Sequence, residues 1–194
     1  MKSKILTALL ACMMLATACN QREVTRIDPN TQTDLSGKWN DTDSKLVSKE
    51  MIADVLARPW RTKFEEKYKK KPVIIIGLVK NKTHEHIDPE TFIKDMEKEF
   101  INTGMVRVVQ AGEHRKQLRE ERDDQQTFAS EETRKKWGKE LGADFMMQGT
   151  MNSHVDPGNK EKVVAYKINL ELVDLETNEK VWIGDKEIKK HIKN

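Results

Sequence analysis

Few residue types in this sequence could carry chemistry, and they are thinly spread. The only cysteines are Cys12 and Cys19, and of the five histidines only His84 and His86 stand close together. Two imidazoles at i, i+2 lie on one side of an extended chain and could share a metal, but a third ligand must come from elsewhere. His114, His154 and His191 are not placed beside them by any spacing, so solvated loop histidines are the competing interpretation. No GxSxG, Walker A, GxGxxG or HExxH pattern occurs. The 32 acids are too many and too evenly spread for one pair to stand out as general acid and base. No catalytic residue, metal site or cofactor is expected, and the chain is not expected to be an enzyme.

The chemistry that does stand out is a single thiol. Met1-Lys-Ser-Lys4 is a short positive segment, followed by 14 residues without charge from Ile5 to Ala18. A spanning helix needs about 20 apolar residues, so this run fits a secretory leader better than an anchor. It ends in Leu15-Ala-Thr-Ala-Cys19, which resembles a bacterial lipobox: small residues let a peptidase close on extended backbone, and the cysteine supplies the thiol for a thioether to diacylglycerol. The usual Leu three places before the cysteine is Ala16 here, with Leu15 one place further out. Residues 1–18 are thus expected as a signal peptide and Cys19 as the lipidated residue. Cys12 leaves with the leader, so no free thiol remains. In similar lipoproteins an Asp after the cysteine retains the protein in the inner membrane. Asn20 stands there and permits the outer membrane, where several acyl chains such as palmitate give a stable anchor.

The composition limits what else the chain can be. Lys and Arg number 35 against 32 Asp and Glu; without Lys2 and Lys4 the count is 33 against 32, a net charge of +1. Charged residues are 35% of the chain, above the roughly 25% that is usual, with both signs interspersed. That describes a solvated surface without a field for nucleic acid. A disulfide scaffold and a polytopic membrane protein are both excluded. From Asn20 to Asp43 the sequence is polar and aperiodic, 24 residues with one proline, Pro29, and an extended reach of roughly 80 Å. Residues 19–43 are expected as lipidated Cys and tether, with Trp39 and Leu35 docking back onto the domain.

The folded part is expected over 44–194. Asp41, Thr42, Asp43 and Ser44 are N-cap candidates for a helix burying Val47, Met51, Ile52, Val55 and Leu56, stopped near Arg58 by Pro59. Trp60, Phe64 and Tyr68 make a core stripe on a second helix. Val73 to Val79 is apolar at every position, which predicts a strand buried on both faces. Asp88-Pro89 starts a helix with Phe92, Ile93, Met96, Phe100 and Ile101 inward, ended by Gly104. Met105 to Val109 is a short strand. Glu113 to Glu140 holds eight acids and eight bases, read as a surface helix, a break over Asp123–Ala129, and a helix capped by Ser130 that buries Trp137 and Leu141. Phe145–Met151, the alternating Val164–Leu172 and Lys180–Gly184 are strands, separated by turns at Asp156–Asn159 and Glu176–Glu179. The pattern predicts an α/β fold.

Three segments together, Val79-Lys-Asn-Lys-Thr83, Leu141-Gly-Ala-Asp-Phe145 with Gly149, and Leu172-Val-Asp-Leu-Glu-Thr-Asn-Glu-Lys-Val-Trp182, resemble the LpoB family. These are outer-membrane lipoproteins that activate a penicillin-binding protein. The resemblance implies a fold similar to the TolB amino-terminal domain, a mixed four- or five-stranded sheet with helices on both faces. It also implies a non-catalytic regulator of peptidoglycan synthesis and cell shape, anchored in the outer membrane, facing the periplasm and monomeric, with a bifunctional penicillin-binding protein as partner. The best-known members carry a long proline-rich linker, which this chain lacks. A CsgG-like secretion or envelope-assembly lipoprotein is the alternative, although such pores need a membrane-inserting β region for which 194 residues leave no room. Lys80, Asn81, Lys82 and Thr83, at the end of the buried strand, are the candidate partner-binding residues.

Metabolic labelling with a fatty acid is expected to mark the protein. Cys19→Ser should abolish the label and leave an unprocessed precursor; equal labelling of both proteins would sink the anchor.

Overall fold

The alternating apolar residues from Val164 to Leu172 form the middle of a long strand, and all five are buried on one side of a sheet. The computed structural model describes residues 23–29, 31–133 and 140–193. Thr33–Asn194 forms one compact unit, and the described residues before Thr33 are irregular with a turn at Pro29. Cys12, Cys19, Asn20 and Trp137, with most of the helix expected around Trp137, lie outside the described residues.

Five strands form one sheet: β1 (Val73–Lys82), β2 (Arg107–Val108), β3 (Phe145–Pro157), β4 (Glu161–Asp174) and β5 (Lys180–Lys193), in the order β2-β1-β3-β4-β5. β1 runs parallel to β2 and β3, and β3, β4 and β5 form an antiparallel meander. The helices are α1 (Asp41–Leu56), α2 (Trp60–Tyr68), α3 (Pro89–Thr103) and α4 (Gly112–Phe128). This is the mixed α/β architecture expected. α3 connects β1 to β2, and α4 lies in the chain between β2 and β3.

One face carries the main core. Val47, Met51 and Val55 of α1 and Phe92, Met96 and Phe100 of α3 join Ile74, Ile76, Met147, Met151, Tyr166, Ile168 and Leu170 in one cluster. Gly149 lies in this layer because a Cβ there would come 2.1 Å from the Asn169 carbonyl oxygen. The continuous burial expected of β1 holds for Val73 to Ile76 only. A register shift between Ile76 and Val79 follows, after which Leu78 is exposed, Val79 buried and Lys80 exposed. The strand changes from doubly covered to half-covered at that irregularity.

Local details correct several expectations. The α1 N-cap is Asn40, one residue before the four candidates. Its side chain accepts from the Asp43 amide at 3.2 Å and Asp43 accepts from the Asn40 amide at 2.9 Å, a reciprocal capping box. Trp60 and Phe64 are core and pack on Phe145, with ring centroids at 5.0 and 5.3 Å. Tyr68, one turn later, is 41% exposed, because the stripe has run past the end of the sheet it packs on. Ile101 is also exposed. The break expected over Asp123–Ala129 begins only at its last residue: α4 continues to Phe128 without burying a residue, and Ala129 is its extended C-cap. Its sequence lacks Pro and internal Gly, and contacts one turn apart support it, Lys116 with Glu113 and Glu120, and Gln125 with Glu121. Arg119 donates twice to Glu140 at 2.8 Å, which holds that carboxyl down at about 2. The turn at Asp156 shrinks, since β3 runs on to Pro157. None of the described helices is long and apolar enough to cross a membrane.

The Trp60 indole also donates to the Val55 carbonyl at 2.7 Å, tying α2 to the end of α1. Trp60→Ala is expected to lower unfolding free energy by about 3–5 kcal/mol, measured by urea denaturation. A loss below ~1 kcal/mol would remove the ring from the core.

Candidate functional site

The four candidate residues sit where β1 leaves the sheet, and the strand's period divides them. Asn81 pairs with Met151, a fully buried residue, so its side chain lies on the core side. Lys80 pairs with Thr150 and Lys82 with Asn152, on the opposite face. Both lysines are exposed and make no ion pair among the described residues.

Asn81 and Thr83 build the turn. The Asn81 amide donates to the carbonyls of Glu85 at 2.8 Å and Ile87 at 3.1 Å, while its oxygen accepts from the Thr83 amide and hydroxyl at 2.9 and 2.7 Å. Every polar atom of that side chain is engaged, so Asn81 acts as a brace for the loop to α3. His84 Nδ1 lies 2.7 Å from the Ser153 hydroxyl, which also accepts from the His84 amide at 3.2 Å. Among the described residues no three His, Cys, Asp or Glu side chains gather as metal ligands.

Glu85 is the loop residue with the largest structural consequence. One carboxylate oxygen accepts the Tyr166 hydroxyl at 2.5 Å and the other the Trp39 amide at 3.2 Å. Burial, then the hydrogen bond to this carboxylate, raise the Tyr166 phenol far above its ordinary value. Trp39 itself stands edge-on to Phe92 at 6.3 Å and to Tyr166 at 5.7 Å. The expected docking of Trp39 is therefore present, whereas Leu35 is exposed. A groove of about 650 Å³ runs between residues 36–41 and the loop 84–88.

Beyond the lysines the sheet's second face stays open. Leu78, Lys80, Gln148, Thr150, Asn169, Glu171 and Ile183 line a shallow depression of about 430 Å³. Glu171 accepts from Lys180 at 2.6 Å and from Gln148 at 2.8 Å, in that order of effect holding its carboxyl below the usual range. Lys80, which makes no ion pair among the described residues, thus shares this depression with the Glu171–Lys180 pair and the exposed Leu78 and Ile183, and Lys82 lies two positions further along β1, beside Asn152. This face can bind a surface; it offers no nucleophile or deep cavity for a small substrate.

Sequence reasoning missed the buried charge on β5, at the same end of the sheet as the loop 84–88. Lys190 Nζ, 7% exposed, donates to Asp34 at 2.5 Å, Asp43 at 2.6 Å and the Lys38 carbonyl at 2.8 Å. The available signal was parity: Lys190 shares the inward positions of β5 with Trp182, Ile188 and Ile192, where a lysine calls for acceptors.

The sequence model of the peptidoglycan-synthase activator LpoB family matches residues 43–188. No curated protein sequence matches the chain. Among solved structures the chain is similar to the C-terminal domain of LpoB from Escherichia coli, at 15% identity and a TM-score of 0.48, over 76% of this chain and 99% of that one. The corresponding domain from Salmonella enterica gives 12% identity and 0.46 over the same shares. The NMR structure of E. coli LpoB gives 11% identity and 0.47, over 91% of this chain and 86% of that one.

Charge reversal of the exposed pair, Lys80→Glu with Lys82→Glu, is expected to change unfolding free energy by less than about 0.5 kcal/mol. Asn81→Ala is expected to cost about 1–3 kcal/mol, because two carbonyls and two donors lose their partner. Urea denaturation of both variants checks this division of the four residues.

Proposed function

The chain belongs to the LpoB family of peptidoglycan-synthase activators, and we propose that it is a non-catalytic, lipid-anchored regulator in the outer membrane that binds and activates a bifunctional penicillin-binding protein. The family match, which runs through almost the whole folded unit, carries this proposal. The proposed anchor is Cys19, with the domain in the periplasm as a monomer.

The proposed docking surface is the open sheet face around Lys80 and Lys82. Unpaired rim lysines raise the rate of encounter with an acidic patch on the partner. Exposed Leu78 and Ile183 supply apolar area that such a contact would cover. Asn81 and Thr83 contribute by fixing the turn that follows the strand end on which the lysines stand. An activator of this kind works by binding the synthase's active conformation more tightly than its inactive one. Its effect is bounded by that difference in affinity.

The purified domain is expected to turn over no cell-wall substrate by itself. Added to the synthase of its own organism, it should raise glycan polymerisation or crosslinking in a saturable, stoichiometric manner. Lys80→Glu with Lys82→Glu should slow association by ~10-fold at low salt, with the difference shrinking as salt screens the charges. A domain that neither binds nor stimulates any synthase of its organism overturns the proposal.

A further inference from the structure

The segment before α1 is held to the domain at both ends and in the middle. Near its start, Asn40 Nδ2 donates to the Thr33 carbonyl and to Asp34, both at 2.9 Å. The buried Lys190 ammonium uses its three donors on Asp34, Asp43 and the Lys38 carbonyl. Gly37 is buried at φ 64°, where a Cβ would come 2.3 Å from Ile192 Cδ1. At the far end Trp39 stacks edge-on against two core rings and its amide donates to Glu85. Two buried ionic groups, a left-handed glycine and an aromatic anchor thus converge on eight residues, Thr33 to Asn40.

We infer that Thr33–Asn40 is a locked strap, part of the folded domain, which fixes where the tether leaves and confines the domain to about 50 Å from the membrane that holds Cys19. The distance follows from chain length alone. Fourteen Cα steps separate Cys19 from Thr33, and no conformation of them spans more than ~50 Å. Were the strap free, twenty-two steps to Asp41 would allow ~80 Å. The partner that fits is therefore a synthase whose own docking element extends into this zone near the anchoring membrane. This rests on the proposals that Cys19 is acylated and that the partner is a synthase.

Two measurements on the full-length lipidated protein test it. In limited trypsin digestion, cleavage after Arg26 should precede cleavage after Lys38 by at least tenfold, although the Lys38 side chain is exposed. Asp34→Ala with Trp39→Ala should remove that protection while cooperative unfolding of the rest is retained. Equal cleavage at the two sites in the unaltered protein overturns the strap. In cells, a photo-crosslinking residue at Lys80 should capture a synthase with the tether at its natural length. Capture only after 20 or more Gly/Ser residues are inserted behind Gln32 overturns the proximity limit. Fatty-acid labelling in the same cells separates the causes: absence of label on Cys19 removes the anchor and the distance limit together, leaving strap protection to be judged by trypsin. Failure of the purified domain to bind any synthase removes the partner assignment alone.

Discussion

A lysine on the core side of β5 must find acceptors for its ammonium or leave the protein interior. Burial by itself would push Lys190 down, yet the hydrogen bonds and charges of Asp34 and Asp43 bring it above its ordinary value. Asp43 is shared, since the carboxylate that receives Lys190 also closes the capping box on Asn40. One interaction thus sets the start of α1, the end of β5 and the path of the segment before both. Removing one partner of such a group leaves an uncompensated buried charge, which typically costs several kcal/mol. The remaining order of the N-terminal half follows: α1 is aimed across the sheet towards α3, and Trp39 is delivered to Tyr166 and Glu85.

The two faces of the sheet differ in what they bury. On the inner face every position from Val164 to Leu172 that points inward is apolar and buried, and the only polar group among them, the Tyr166 hydroxyl, is taken up by Glu85. On the outer face the same strands present Asn169, Glu171, Gln148 and Thr150, which solvent or a partner can satisfy. An antiparallel sheet tolerates this, because its hairpin connections do not oblige helices to cover both sides. The parallel part does not, and the change occurs within β1 at the register shift after Ile76. Lys80 and Lys82 therefore stand on the rigid end of a strand that is anchored in the doubly covered region.

What was legible in the sequence was whatever periodicity or capping chemistry writes locally. The Val164–Leu172 alternation, Asp88-Pro89 before α3 and the first two rings of the α2 stripe, Trp60 and Phe64, found their places, while Tyr68 did not. Interactions between residues far apart in sequence left a weaker trace. Glu85 looked like a loop acid between two histidines, and only the fold brings it to Tyr166 and Trp39. Lys190 was hidden by its neighbours, because a run of lysines near a terminus reads as solvated surface until its parity in β5 is known. The break expected in α4 came from sparse apolar residues, but helix formation there needs only side-chain pairs one turn apart and the Arg119–Glu140 contact. Asn81 and Lys82 are adjacent in sequence and opposite in role, a distinction that rests on the register with Met151 and Asn152.

A domain built this way suits an activator that does not itself change shape. Among the described residues the core is one cluster from α1 through the sheet. On the proposed function, the conformational change belongs to the partner, and the domain contributes a surface that fits one of the partner's states better. A tenfold shift in such an equilibrium requires only about 1.4 kcal/mol of differential binding. One additional apolar contact of the size of Leu78 or Ile183, made in a single state, is enough to supply it. On the proposed function, the lysines would govern how quickly the two proteins meet, and the apolar flanks beside Glu171 would govern which state is held. Rigidity at Asn81 matters to both, since a surface that yields on contact would fit the two states equally and shift neither.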